Sequence, residues 1–237
     1  MPDRVYKFIG ASKLKRIRSI LCDSQLYFSK PDDLDDPFEF RPRNMVLKRF
    51  DRVTSPNSEW QGAIEAGMLK GIDDVAAKRT ASLSGLGVCC FSETINETLM
   101  WAHYAEGHRG ISIEFDATHA YFTRLLQVTY PHRREDVGLK CQIPEIIRKV
   151  ILVKSPNWRY QSEWRLLNGN GGQLSRFPAD AVTGIYFGAK CRDETVSAVL
   201  NMVKSTNIRR FKADLSKYDY GLHFTDISAT DVSTTNA

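Results

Sequence analysis

VCCFSETINETLMWAHYAEGHRGISIEF, residues 88–115, is the stretch whose reading decides the fold. It reads as a buried strand, a capped helix and a second strand. Val88-Cys89-Cys90-Phe91 is a short apolar run after a turn containing Gly85 and Gly87, which suits a central strand. Ser92 and Glu93 end it. Thr94 or Asn96 can then cap a helix, because a side-chain oxygen there accepts from the orphan amides of the first turn. The helix is predicted over about residues 97–105, with Leu99, Met100, His103 and Tyr104 on nearby faces and Gly107 as terminator. Gly110 opens Ile111–Phe115, whose alternation puts Ile111, Ile113 and Phe115 on one face. A strand-end serine leading into a helix with Trp101, His103 and Tyr104 suits one wall of a small-molecule pocket. The same spacing also suits a core helix whose aromatics fill space.

The chain around this stretch is 237 residues long, enough for a core that is stable unaided. Its 42% hydrophobic and 26% charged content is that of an ordinary globular protein. The formal charge of +5 permits an anionic ligand or nucleic acid without arguing for either. No signal-peptide core follows Met1-Pro2-Asp3-Arg4, and no apolar run reaches membrane-span length. The five cysteines form no C-x-x-C pair and are expected as reduced thiols. The expectation is a cytoplasmic protein without membrane contact.

Arg4–Ile9 alternates as a short strand. Ala11-Ser12 leads into a basic amphipathic helix, with Leu14, Ile17, Ile20 and Leu21 inward and Lys13, Lys15, Arg16 and Arg18 outward. That basic face reads as solvated, with phosphate binding as the alternative. Leu26–Ser29 is a second strand, stopped by Lys30-Pro31. The acidic run from Asp32 to Phe40 could suggest a hard-cation site, but its spacing matches no calcium loop; a turn leading into a helix start explains it more cheaply. Residues 45–83 are polar and helix-patterned, an inserted cap or lid. Later strands are predicted at 125–130, 158–167, 182–188, 208–213 and 222–224, with helices at 143–152 and 193–204. On the 158–167 strand, Gln161, Glu163 and Arg165 would share one face. Residues 227–237, rich in Ser and Thr, are expected as a disordered tail. Strands outnumber helices without regular alternation. The fold class is therefore α+β, one domain over 1–226 with a mixed, mostly antiparallel split sheet flanked by helices.

Several blocks resemble a known family. Tyr6-Lys7-Phe8, Leu26-Tyr27-Phe28-Ser29-x-Pro31, Asp36-Pro37-Phe38-Glu39, Cys90-Phe91-Ser92, Met100–Ala105, His108-x-Gly110-Ile111 and Glu163-Trp164-Arg165 resemble the signature blocks of a bacterial domain-of-unknown-function family, number 2971. More distantly, the order of these blocks is similar to the ADP-ribosyltransferase superfamily, in which a split antiparallel sheet grips NAD. That resemblance implies NAD as substrate, held by Tyr6, Lys7, Ser29, Ser92, Trp101, His103 and Tyr104. It implies Glu163 and Gln161 as catalytic residues and an acceptor that is a protein, a nucleic acid or water, in a setting such as phage defence. At the first-strand position this chain carries Tyr6 and Lys7, where that superfamily has Arg or His.

The chemistry gives Gln-x-Glu a reason. Cleaving the nicotinamide–ribose bond builds positive charge on the sugar, which a nearby carboxylate stabilises. The same Glu can orient ribose hydroxyls or activate the acceptor. A bland reading pairs Glu163 with Arg159 or Arg165 on an exposed strand. Two other functions compete: a metal-dependent nuclease using Asp36, Glu114 or Asp116 and Glu163 as ligands, with Arg165 or Lys154 at the phosphate, and a non-enzymatic nucleotide- or partner-sensing module. His103 and His108, five apart, do not share a helical face as metal-binding pairs four apart do. Cys90 sits in an apolar run, where a thiolate is disfavoured.

Overall fold

A computed structural model of the chain describes residues 1–40, 83, 85–137 and 142–228. The cap expected at 45–83 falls almost wholly outside the described residues. Of the expected tail, Ile227 and Ser228 are described. The Ile227 amide donates to the Arg210 carbonyl, and Ser228 Oγ accepts from the Arg210 amide.

The sheet grows outward from the opening stretch. The apolar run becomes β3 (Gly87–Ser92) and the alternating run becomes β4 (Ile111–Asp116). β4 pairs antiparallel with β1 (Arg4–Ile9) from Arg4↔Asp116 to Ile9↔Ile111. Gly110 is required at the start of β4, since a Cβ there would meet the Ile9 carbonyl oxygen at 2.1 Å. β3 pairs with β6 (Glu163–Asn168) along its whole length, and β5 (Leu126–Gln127) edges β6. On the other flank β8 (Val182–Phe187) pairs antiparallel with β4. Helix Asp193–Met202 then crosses to β9 (Arg209–Leu215), parallel to β8, and β10 (Leu222–Asp226) closes the edge. The order is β10-β9-β8-β4-β1-β3-β6-β5, with β2 (Gln25–Phe28) and β7 (Gln173–Arg176) as a separate ribbon. This is a mixed, mostly antiparallel α+β fold, as the sequence implied.

One seam of the sheet is almost unpaired. β1 and β3 share a single register pair, Tyr6↔Ser92. Further along, the Val88 amide and carbonyl bond Ser29, at the end of β2, both at 2.9 Å. The helices lie on opposite faces of this seam. Ile17 and Ile20 of α1 (Leu14–Leu21) pack with Val5, Ile9 and Phe115. Met100 and Trp101 of α2 (Thr98–Tyr104) pack with Tyr6 and Phe8. Successive strand residues point to opposite faces, so the two clusters sandwich β1.

Four local expectations change. α2 is capped by Glu97, whose Oε1 accepts from the Leu99 amide at 3.0 Å; Thr94 Oγ1 instead turns the preceding loop at Asn96. The strand expected from 158 starts only at Glu163. Pro156 initiates a 3₁₀ turn over Pro156–Gln161, and Ser162 then takes a left-handed conformation (φ 42°) that swings the chain into β6. Gln161 and Glu163 therefore do not share a strand. The helix at 143–152 divides into a short α3 (Ile143–Ile146) and a π turn, Ile147–Ile151. Leu14 of α1 is exposed rather than inward, while Arg16 is half-buried rather than solvated.

Phe115 is 0% exposed, with the rings of Phe91, Phe122 and Phe177 at 5.4, 5.4 and 5.6 Å. Phe115→Ala should lower unfolding stability by about 3–5 kcal/mol, seen as a reduced urea midpoint with unchanged slope. Leu99→Ala, at a position 45% exposed, should stay within about 0.5 kcal/mol of wild type. Similar losses for the two variants would contradict this placement of the core.

Candidate functional site

The open seam between β1 and β3 holds a cavity of about 300 Å³. Its lining comes from elements on both faces of the sheet. Lys13 and Arg16 of the α1 segment line it on one face, and Met100, His103 and Tyr104 of α2 line it on the other. Between them lie Tyr6 and Lys7 of β1, with Cys90 and Ser92 of β3. Ser29, Gln161 and Glu163 complete the set expected from sequence, and all three reach this cavity. Trp101 does not. It is 0% exposed behind the wall, its Nε1 donating to the Ile95 carbonyl at 2.7 Å and its face stacked on His108.

On the α2 side two hydrogen bonds tie the helix to the 3₁₀ turn. Tyr104 Oη accepts from Gln161 Nε2 at 2.6 Å, and His103 Nδ1 lies 2.8 Å from Tyr160 Oη. Gln161 is buried, so its amide is held by Tyr104 despite the break in the strand. Burial and neighbouring Asp35 push the Tyr104 phenol far above its usual range, keeping it neutral. Ser92 Oγ is engaged locally, accepting from the Thr94 amide at 3.2 Å. Burial likewise pushes the Cys90 thiol up, which removes it as a thiolate nucleophile.

At the floor, Glu163 is 3% exposed rather than on an open strand face. Its Oε1 accepts from Arg165 Nε at 2.7 Å, and its Oε2 from Lys154 Nζ at 3.1 Å and Arg165 Nη2 at 3.2 Å. Glu39 joins the same cluster, 2.9 Å from Lys154 and directly hydrogen-bonded to Arg165 Nη2. Arg165 also donates to the Ile151 carbonyl. Burial alone would raise the Glu163 carboxyl. Arg165 and Lys154 outweigh it and hold the group at about 2. Glu163 is thus an ionised carboxylate at neutral pH and not a proton acceptor there. Tyr130 Oη accepts from its amide and, through burial, is itself pushed up to about 12.

Sequence reasoning missed Glu39, Asp35 and the two α1-side cations as neighbours of this site, and placed Lys154 near Glu163 only in the nuclease reading. The pairing of Glu163 with Arg165 was legible, because residues two apart on a strand share one face. The acids of the nuclease reading are held apart by other partners. Glu114 Oε2 accepts from Tyr186 Oη at 2.8 Å, and its Oε1 accepts from Thr183 Oγ1 and Arg209 Nη2, both at 2.7 Å. Asp116 turns onto Thr118, and Asp36 accepts from the Phe38 and Ser155 amides. Among the described residues no three His, Cys, Asp or Glu side chains gather where they could hold a metal ion.

Residues 100–166 match the model of a family described as protein of unknown function (DUF2971). That span runs from α2 to β6 and carries His103, Tyr104, Lys154, Gln161, Glu163 and Arg165. No curated protein and no solved structure matches the chain. Among the described residues, no helix is long and apolar enough to cross a membrane.

The ion cluster yields a pH prediction. Glu163 stays ionised down to about 2 in the folded chain, against a reference of 4.5. Its pairing therefore contributes stability that is complete above the reference value and is lost as pH falls toward the folded one. Arg165→Met leaves two buried carboxylates facing one ammonium. The variant should be about 3–5 kcal/mol less stable near neutral pH. The gap should narrow as pH falls from about 6 to about 3, because protonation relieves the unpaired charge. Denaturant titrations at both pH values check this, and a gap of equal size at the two would count against the pairing.

Proposed function

We propose that the chain is a member of the DUF2971 family and an ADP-ribosyltransferase-like enzyme, with NAD as substrate in the cleft between β1 and β3. One observation carries the reading: a cavity opened by a split sheet gathers Tyr6, Lys7, Ser29, Ser92, His103, Tyr104, Gln161 and Glu163, eight side chains drawn from six separate segments. The aromatic wall from α2 and the neutral Tyr104–Gln161 pair suit an amide-bearing ring. Glu163 supplies a fixed negative charge where the ribose would develop positive charge, a role that needs ionisation and no proton transfer. The bond from ribose to nicotinamide breaks, and an acceptor nucleophile takes the ADP-ribosyl group and releases a proton. A volume of about 300 Å³ is the low end for small-molecule sites, enough for the nicotinamide-riboside half.

A second reading is favoured by a specific contact. Both oxygens of Glu163 are already engaged by Arg165 and Lys154. A carboxylate neutralised in this way suits a nucleotide-binding module without turnover. Incubation of the full chain with NAD, with and without a cell lysate, separates the two through released nicotinamide. Glu163→Gln should lower that release by about 10²–10³-fold, the scale of a lost preorganised charge-stabilising group. Circular dichroism should show the variant still folded. Saturable NAD binding with no nicotinamide from wild type would leave the binding module; equal turnover in both proteins would remove Glu163 from the chemistry.

A further inference from the structure

We propose that Lys7, Lys13 and Arg16 form an anion subsite at the α1 end of the cleft, taking the phosphate groups of a nucleotide. This rests on the cleft being the ligand site, as above, and does not require a reaction there.

Lys7 and Lys154 are both buried lysines lining the cavity, and they are treated differently. Lys154 lies between two carboxylates. Lys7 is 6% exposed, yet among the described residues its ammonium meets only the Cys90 carbonyl, at 2.9 Å, and the face of Phe91. An ammonium carries three donors, and a buried cation without a counter-charge is costly. Arg16 adds a second deficit: its Nε is buried with no hydrogen-bond partner among the described residues, while the guanidinium stacks over Tyr27. Lys13 lies three residues before Arg16, the spacing that puts both on one helix face. Among the described residues, none of the three has a carboxylate at ion-pair distance; the exposed Glu106, held by the Ser12 amide, acts on Lys13 only as a neighbouring charge. The acids that share the cavity are engaged elsewhere: Asp33 accepts from the Lys30 amide, Asp35 lies beside Tyr104, and Glu163 is neutralised.

Three cations from two adjacent elements line the same cavity as His103 and Tyr104 of α2. An arginine fork with flanking lysines suits phosphate, which it can grip at two oxygens. The aromatic end suits the base or ring of the same molecule. The polarity of the cleft thus orients a nucleotide, with phosphates toward α1 and ring toward α2.

Isothermal titration of the full chain with ADP, inorganic pyrophosphate and adenosine tests this. ADP should bind, pyrophosphate should compete with it, and adenosine should bind at least about 10²-fold more weakly than ADP. Lys13→Ala and Arg16→Ala should each weaken ADP about tenfold or more, reduce its salt dependence, and leave adenosine unchanged. Lys13 is exposed, so its substitution leaves the core intact. ADP binding no tighter than adenosine's, or indifferent to both substitutions, would overturn the subsite. ADP binding with the expected cation dependence but no nicotinamide release would retain the subsite and remove the transferase. Nicotinamide release with ADP binding indifferent to the cations would do the reverse.

Discussion

Four buried charges, Glu39, Lys154, Glu163 and Arg165, join segments that lie far apart in the chain. Glu39 follows β2, Lys154 precedes the 3₁₀ turn, and Glu163 and Arg165 begin β6. Each ion loses several kcal/mol of hydration on burial, so the cluster persists only with matched charge and close geometry. Two carboxylates against two cations supply the match, and the Ile151 carbonyl takes a remaining arginine donor. Such a cluster contributes little net stability compared with an apolar core, but misplacing any member leaves an unpaired charge. It therefore fixes the position of β6, and with it the floor of the cavity.

The second constraint is a vacancy in backbone pairing. β1 is fully paired with β4 and β3 is fully paired with β6, but β1 and β3 meet at one residue pair. Buried backbone groups need partners. Along the seam Ser29 satisfies Val88, and the Lys7 ammonium satisfies the Cys90 carbonyl. Side chains and a neighbouring strand end thus replace a ladder, and the space between becomes the cavity. α1 and α2 cover opposite faces of the same opening, which gives the cleft a basic end and an aromatic end.

Glu163 shows how tertiary surroundings assign a role. An exposed Glu between two arginine-containing neighbours would titrate normally. Buried beside Arg165 and Lys154, the same group is ionised throughout the physiological range. It can stabilise charge but cannot shuttle protons at neutral pH, so any chemistry here depends on electrostatic placement. The acceptor or its activating water would need a base other than this carboxylate.

Local patterning by itself determined the central strand–helix–strand unit, the alternating faces of Ile111–Phe115 and the α+β class, because these follow from side-chain periodicity and local hydrogen bonding. The candidate residues were legible as blocks, and Tyr6, Lys7, Ser29, Ser92, His103, Tyr104, Gln161 and Glu163 do line one cavity. Trp101 was indistinguishable from them, since an aromatic facing a cavity and one facing the core have the same spacing. The left-handed turn at Ser162, the partnership of Glu39 with Arg165, and the approach of Lys13 and Arg16 to the cleft were decided only by the tertiary structure. Each depends on which distant segments meet across the β1–β3 seam, and burial and charge pairing between such segments leave no periodic trace along the chain.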